Sequence, residues 1–398
     1  MSSGRPLVVH VITRLEPGGS ARNTVDSCAA QAAGYDVVLL AGPHPGSAGL
    51  RKLLPPEVGY IEIAALRREL SPLRDLKALL ELRRTILRLR PDIIHTHTSK
   101  AGALGRLAAA LARPLRRRTL VIHTPHGHLL YGYYGRFKTY VFRLAEVLLA
   151  GFADILIALT EGERKESLAA GIGRPEQWRV VHSGVDFEPP AAPVRKHELG
   201  VGAGQVAVGT IARLEPVKGV EWLLRAAARL KRDAPATRIK FVVIGGGALE
   251  AELRSLAAAL GVAGDVLFAG QRADARALLP ALDIYVQPSL NEAMGRAPLE
   301  AQAQGLPVIV SEVCGLPETI QPGITGIRVR PGDDEGLAAA IKLLADSPAL
   351  RARMGAAARA WTASADENGL PRFGVAAMNA RLRALYAEVL SARAAKGA

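Results

Sequence analysis

One pattern constrains this chain more than any other. Short, continuous apolar runs alternate with longer amphipathic segments, and the alternation occurs twice. In the first half the runs are 7–13, 36–41, 60–63, 92–96, 120–123, 154–158 and 179–182, with amphipathic stretches such as 73–89 between them. In the second half they are 206–211, 239–244, 266–268, 284–287, 307–310 and 326–329. A run that is apolar throughout, not at every second residue, is a strand covered on both faces. Strands of that kind spaced by helices build a parallel sheet with helices on each side. The sequence therefore predicts an α/β fold of two doubly wound, Rossmann-like domains. Residues 184–204, rich in Pro, Gly and charge, read as the linker. The expected domains are 1–188 and 189–372. Met378, Leu382, Leu385, Tyr386 and Val389 then fall at helical spacing.

Composition agrees. A chain of 398 residues suits two cores better than one, and 49% hydrophobic content excludes extended disorder. Cys28 and Cys314 match no metal or redox spacing, which suggests a reducing, cytoplasmic setting. No signal peptide is expected, because the apolar run at residue 7 ends at Gly18-Gly19 and fits a first strand. The longest apolar run, 144–159, contains Glu146 and Asp154 and is too short to span a bilayer.

The richest stretch is NEAMGRAPLEAQAQGLPVIVSE, in which Glu292 and Glu300 flank a small Gly- and Pro-containing turn that leads into a short helix. Pro298 suits the first helical position, where a missing N–H costs nothing. Such a turn offers N–H groups to an anion, so a phosphate could sit at 295–297. Carboxylates repel phosphate but accept strong hydrogen bonds from sugar hydroxyls. A diphosphate with a sugar at each end satisfies both. Glu300 alone could equally be the acidic third residue of a first helical turn, a reading that leaves Glu292 and Gly295-Arg296 unexplained.

Upstream, the run 206–211 ends in Arg213, a Glu-Pro turn, Lys218-Gly219 and an amphipathic helix. Ligands bind at strand C-terminal ends in open α/β sheets. Cations at a helix start oppose the macrodipole, so stability does not explain them; two ordinary surface cations are the alternative. Each half also carries a glycine-rich turn, Gly18-Gly19 and 245–247. Neither makes a dinucleotide fingerprint: the second strand ends in Leu39-Leu40-Ala41, without the ribose-binding acid.

His95, His97, His123, His126 and His128 crowd into one region. No Asp-x-Asp or His-Glu-x-x-His pattern accompanies them, so a metal is not expected. Some are expected to be buried and hydrogen-bonded.

Taken together, Arg213 with Lys218-Gly219, then Pro288-Ser289, Glu292 and Glu300 with Gly305-Leu306-Pro307-Val308, resemble the retaining family 4 glycosyltransferases of the GT-B fold. Gly315-Leu316-Pro317-Glu318, Gly326-Ile327-Arg328-Val329 and Pro331-Gly332-Asp333 continue the likeness. The stretches 95–109 and 123–138 resemble a bacterial subgroup that builds surface polysaccharides. The likeness runs over nearly the whole chain. One departure is Met294-Gly295-Arg296, where the family usually has Gly-Phe-Gly; Arg296 is expected to bear on donor-sugar choice.

The resemblance implies two domains facing a central cleft, an acceptor-binding first and a donor-binding second, closing around the donor. It also implies a terminal helix, about 373–398, that packs back on the first. It assigns catalytic roles to His126, Arg213, Lys218 and Glu292. Donor binding is implied for Gly18, Gly19, Gly246, Gln271, Gly295, Arg296, Ala297, Pro298, Leu299 and Glu300. His126 would donate hydrogen bonds or charge to the transferred sugar and phosphate, Glu292 bind that sugar's hydroxyls and Glu300 the ribose. Fixed cations would stabilise the leaving diphosphate, with same-face attack by the acceptor favoured over a double displacement and no metal or other cofactor. The implied reaction moves a hexose or N-acetylhexosamine from a nucleoside-diphosphate sugar, UDP by subgroup likeness. The acceptor would be a hydroxyl of a lipid-linked or glycan molecule in cell-envelope or exopolysaccharide synthesis. A small soluble acceptor, a GT-B-like epimerase and a non-catalytic nucleotide-sugar-binding protein are the alternatives. The glutamate pair speaks against an epimerase, and the retained Arg213 and Lys218 against a non-catalytic protein.

Charge adds a partner. Between 66 and 143 there are 17 Lys and Arg against Glu69, Asp75, Glu81 and Asp92, in a chain of formal net charge +14. Arg67, Arg68, Arg74, Lys77, Arg83, Arg84 and Arg88 follow a Leu-rich helix; Arg116-Arg117-Arg118, Arg136 and Lys138 stand near Tyr131, Tyr133, Tyr134 and Phe137. Cations near an anionic leaflet contribute about 1 kcal/mol each. Two readings stay open: peripheral docking on the inner face of the cytoplasmic membrane, or a solvated face that steers anionic substrates. A pI near 10.1 also fits nucleic-acid binding, but no such motif is present and none is expected to bind.

Overall fold

A computed structural model describes residues 4–112 and 119–395. Arg116-Arg117-Arg118 and the last three residues lie outside the described residues. The chain forms two compact units. One runs through Leu130, resumes over Tyr134–Gly184 and takes the chain from Val375 onward; the other is Tyr131–Tyr133 with Val185–Gly374.

The first unit runs β1 (Leu7–Arg14), α1 (Gly19–Gln31), β2 (Asp36–Gly42), α2 (Ser47–Arg51), β3 (Gly59–Glu62), α3 (Pro72–Leu89), β4 (Ile93–His97) and α4 (Ser99–Ala112). It continues with β5 (Leu120–Thr124), α5 (Arg136–Ala150), β6 (Ile155–Ala158), α6 (Glu161–Ala169) and β7 (Trp178–Val180). All seven strands are parallel, in the order β3-β2-β1-β4-β5-β6-β7. Alternate residues of β1 explain why the run is apolar throughout. Val9 and Val11 pack with Ala78, Leu82 and Ile86 of α3, whereas Val8 joins Ile93, Ile122, Met378, Leu382, Leu385 and Tyr386 in a separate cluster. α3 has Pro72 in its first turn with Asp75, and Arg88 in its last, each placed to suit the helix dipole.

The second unit holds β8 (Val206–Ile211), α7 (Val220–Asp233), β9 (Ile239–Ile244), α8 (Glu250–Ala259), β10 (Val266–Gly270), β11 (Ile284–Gln287) and α9 (Arg296–Ala303). β12 (Val308–Ser311), β13 (Gly326–Val329), α10 (Asp334–Asp346) and α11 (Pro348–Ala363) complete it. Its parallel sheet is ordered β10-β9-β8-β11-β12-β13, with a core on each face. The segment read as a linker is not free: Leu199 and Val201 are buried with Ala207, Leu278 and Leu282. Its Pro, Gly and charge content hid those two anchors. The terminal helix α12 (Val375–Ala395) belongs to the first unit through Met378, Leu382, Leu385 and Tyr386. Among the described residues, no helix is long and apolar enough to cross a membrane.

Each sheet has one place where successive strands depart in opposite directions: β1/β4 in the first, β8/β11 in the second. Loops leaving the C-terminal ends of those strands open a crevice, which is where such sheets bind ligands.

Candidate active site

In the second unit two loops meet at the β8/β11 crevice. The loop after β8 makes a 3-10 turn, Pro216–Lys218, and the loop after β11 carries Pro288 to Glu292. They are tied by Leu290 N–H donating to Val217 O at 2.8 Å. Gly219 makes this approach possible: its φ is 63°, and a Cβ there would lie 2.1 Å from Pro288 O. Only glycine fits.

This juxtaposition brings Lys218 Nζ to Glu292 Oε2 at 2.5 Å, with the two side chains only 14% and 19% exposed. Ser289 Oγ donates to the same oxygen at 3.4 Å. Behind it, Gln287 Nε2 donates to Ser289 Oγ at 2.9 Å and Tyr285 Oη to Gln287 Oε1 at 2.7 Å. Burial holds the Tyr285 hydroxyl protonated far above its ordinary range, helped by the nearby charges of Glu300 and Glu292. It therefore acts as a fixed donor supporting the pair.

α9 begins at Arg296, two residues earlier than Pro298 suggested. Gly295 precedes it at φ 78°, where a Cβ would lie 2.5 Å from Leu316 Cδ2. No side chain caps this end and no acid lies in its first turn. Pro298 is tolerated in third place because the first four N–H groups of a helix have no intrahelical partner. Glu300 thus stands in the second turn, and the first-turn reading of it is corrected. Leu299 is buried beneath, and Arg296, Ala297 and Glu300 are half-buried.

Arg213 is more exposed, pairing with Glu215 at 3.1 Å. Gly246 and Gln271 follow β9 and β10, one and two strands from β8; a Cβ on Gly246 would lie 3.1 Å from that of Gln271. The structure therefore joins Lys218, Glu292 and the α9 turn, and sets Gly246 and Gln271 farther along the same sheet edge.

His126, Gly18 and Gly19 belong to the first unit. Gly18 and Gly19 are exposed at the start of α1, which has no side-chain cap and no acid in its first turn. His126, just past β5, has φ 57°, a left-handed conformation uncommon for a side-chain-bearing residue. The turn is clamped by Glu163, which is fully buried: its Oε1 accepts from Gly127 N–H and its Oε2 from Leu159 N–H, each at 2.7 Å. His126 Nε2 lies 3.0 Å from His97 Nδ1.

The histidine cluster is larger than the sequence indicated. In the parallel register His10 of β1 stands beside His95 of β4, and Thr96 beside His123 of β5. Burial lowers His10 to about 4. His95 lies well below the ordinary histidine range through burial and the charges of His10 and His126, His97 through burial and the charges of His95 and His10, and His123 through burial and the nearby Arg106. Ring nitrogens of His10, His95 and His97 lie close enough together to hold a cation. Each already has partners: Gln31, His126, Tyr386 and Thr124 surround the three rings. His128 pairs instead with Glu166 at 2.6 Å. His10, Gln31 and Glu163 escaped the sequence reading. His10 lies 85 residues from its partner, and only strand register brings the two together.

Comparison with known proteins accounts for both halves. Residues 17–184 match the glycosyl transferase 4-like domain, and residues 196–361 match glycosyl transferases group 1. The chain is 31% identical over 320 residues to D-inositol 3-phosphate glycosyltransferase of Streptosporangium roseum, spanning 76% of this chain and 70% of that protein. The chain belongs to the family 4 glycosyltransferases. UDP-Gal:alpha-D-GlcNAc-diphosphoundecaprenol alpha-1,3-galactosyltransferase of Escherichia coli is another relative of this glycosyltransferase, 29% identical over 72% of this chain and 75% of its own. Among solved structures, Anabaena HepE in complex with UDP and glucose superposes with a TM-score of 0.78 at 24% identity, covering 98% of this chain and 100% of that one. Sucrose-phosphate synthase from Thermosynechococcus elongatus gives 0.80 at 22% identity, covering 98% and 100%. The fold is GT-B.

Proposed function

We propose that this glycosyltransferase moves a hexose or N-acetylhexosamine from a UDP-linked sugar to a hydroxyl of a lipid-linked or glycan acceptor. The transfer retains anomeric configuration, needs no metal ion or other cofactor, and serves cell-envelope or exopolysaccharide synthesis. The observation that carries this reading is the Lys218–Glu292 pair set beside the uncapped start of α9. A lone cation would suit any anion. A cation and a carboxylate held together suit a ligand that is anionic at one end and rich in hydroxyls at the other.

In this reading the diphosphate lies against Lys218, Arg213 and the N–H groups at 295–297, which stabilise the charge that grows as the bond to the sugar breaks. Glu292 Oε2 is committed to Lys218 and Ser289, so Oε1 accepts from the transferred sugar. Glu300, one turn into α9, accepts from the ribose. His126 meets the transferred sugar. The acceptor attacks from the face the diphosphate leaves, and a leaving phosphate oxygen takes its proton. The names of the relatives agree with a UDP donor: the Escherichia coli protein is named for UDP-Gal and a diphosphoundecaprenol acceptor.

A lipid-linked acceptor is favoured over a small soluble one by two helices. On α5, Phe137, Val141, Leu144 and Leu148 fall at helical spacing and are all exposed, beside Lys138. On α3, Leu73, Leu76 and Leu80 are exposed with Arg74, Lys77 and Arg84. An apolar stripe flanked by cations suits the interface of an anionic membrane, with the helix lying in its plane. We therefore place the protein at the cytoplasmic face of the membrane.

The test is a thermal-shift panel of UDP, GDP, ADP and dTDP in EDTA, on wild type and Arg213→Ala. A ligand at 100 times its dissociation constant stabilises by about 2.7 kcal/mol. UDP alone is expected to raise the wild-type midpoint and to do so less in the variant. No shift from any diphosphate overturns the reading.

A further inference from the structure

Three imidazoles and one amide form a continuous hydrogen-bonded line inside the first unit. His126 Nε2 lies 3.0 Å from His97 Nδ1, His97 Nε2 lies 2.9 Å from His10 Nδ1, and His10 Nε2 lies 2.8 Å from Gln31 Oε1. Gln31, His10 and His97 are at most 1% exposed, so solvent does not interrupt the line. A neutral imidazole has one donor and one acceptor nitrogen. The direction of one bond therefore sets the direction of all the others. The amide oxygen of Gln31 can only accept. His10 must then carry its proton on Nε2 and accept at Nδ1 from His97 Nε2–H, and His97 must accept at Nδ1 from His126 Nε2–H.

We propose that Gln31, through His10 and His97, is a positioning device that fixes the tautomer of His126, keeping the proton on Nε2 and turning Nδ1 into the nitrogen that meets substrate. This rests on His126 contacting the transferred sugar, as proposed above. It also reverses the direction expected for that contact: a neutral His126 held in this way does not donate to the sugar but accepts at Nδ1 from one of its hydroxyls. Burial keeps His10 and His97 neutral, which the relay requires, since an imidazolium would donate at both ends and break the polarity. A second line lies beside the first: the Tyr386 hydroxyl bonds His95 Nδ1 at 2.5 Å, and His95 Nε2 bonds Thr124 Oγ1 at 2.7 Å. Tyr386 lies on α12, so the terminal helix holds His95 beside the relay.

The experiment is long-range 1H–15N correlation on the full chain labelled at histidine, near pH 7.5, with His126 assigned by its loss in His126→Gln. Wild type is expected to show His126, His10 and His97 each protonated on Nε2 and bare on Nδ1. Gln31→Leu should leave His126 as a mixture of tautomers while its unfolding midpoint stays cooperative. Finding His126 protonated on Nδ1 in wild type, or unchanged in Gln31→Leu, overturns the proposal. The wild-type spectrum decides even if the variant does not fold. A parallel assay of UDP release from UDP-sugars separates this inference from the function it rests on. Turnover in Gln31→Leu should fall about tenfold with UDP affinity unchanged, less than the ~10²–10³ that follows removal of a whole transition-state donor. Tautomers as stated, without turnover of any UDP-sugar, would overturn the UDP-donor reading and leave the relay standing.

Discussion

Replacing Lys218 with methionine tests whether the Lys218–Glu292 pair binds substrate or merely supports the fold. At 2.5 Å and an effective dielectric near 20, the attraction between the two charges is roughly 6–7 kcal/mol before desolvation is subtracted. Breaking one side of a fully buried pair costs about 3–5 kcal/mol. Here 14% and 19% of the side chains stay exposed, and Ser289 still donates to Glu292, so Lys218→Met should cost about 2 kcal/mol. In a unit of this size that lowers the unfolding midpoint by roughly 4–8 °C. Adding Glu292→Gln removes the stranded carboxylate and should recover all but about 1 kcal/mol, because a neutral pair needs no counter-charge. UDP affinity should behave differently. Loss of one charge-assisted bond weakens binding by about 1.5–3 kcal/mol, roughly ten- to hundredfold, and the second substitution should not restore it. Scanning calorimetry and UDP titration by calorimetry read the two quantities separately. If the double variant regained UDP affinity, lysine would serve only to neutralise Glu292 and the reasoning would fail.

Other outcomes follow from the same geometry. Gly219→Ala sets a Cβ 2.1 Å from Pro288 O at φ 63° and should cost at least about 1–3 kcal/mol while abolishing UDP binding; normal binding by a folded variant would contradict the assembled crevice. Acid should destabilise the first unit before the second. A histidine held near 4 when folded but near 6.5 when unfolded takes up its proton on unfolding. Its contribution is complete above about pH 6.5 and is lost as pH falls towards 4, roughly 3 kcal/mol in all for His10. His95, His97 and His123 add to the same dependence, so His10→Gln should remove only the His10 share of the stability lost between pH 6.5 and 4, and an unchanged slope would show that His10 does not contribute. Phe137→Ser with Leu148→Ser should weaken flotation with phosphatidylglycerol-containing vesicles at least tenfold, since each buried apolar side chain is worth about 1.5–3 kcal/mol; equal flotation would rule out α5 as the docking face.

Much of the fold was legible because parallel strands buried on both faces advertise themselves as unbroken apolar runs, and the thirteen strands of the described residues stand within a residue or two of those runs. Boundaries were less legible. Pro298 marked a helix start two residues late because proline is cheap anywhere in the first turn, and that shift changed the meaning of Glu300. The loop motifs around Lys218 and Glu292 were visible as residue types at suggestive positions. Their direct pairing was not, because it depends on the tight approach that Gly219 permits. The histidine relay was least legible. His10 and Gln31 lie far from His97 and His126 in sequence, and only the register of β1 on β4 and the packing of α1 and α12 over that face bring them together. The apolar stripe on α5 was hidden for a simpler reason: periodicity reveals an apolar face but not whether it turns towards the core.

The most direct measurement offers radiolabelled UDP-glucose, UDP-galactose and UDP-N-acetylglucosamine, in EDTA, to the purified protein with a lipid extract containing polyprenyl-diphosphate-linked saccharides. The account predicts that label from one of these donors passes into the lipid fraction with wild type, and at least a hundredfold more slowly with Lys218→Met or Glu292→Gln. Label that stays with the nucleotide for every donor, or that moves equally well in both variants, would contradict it.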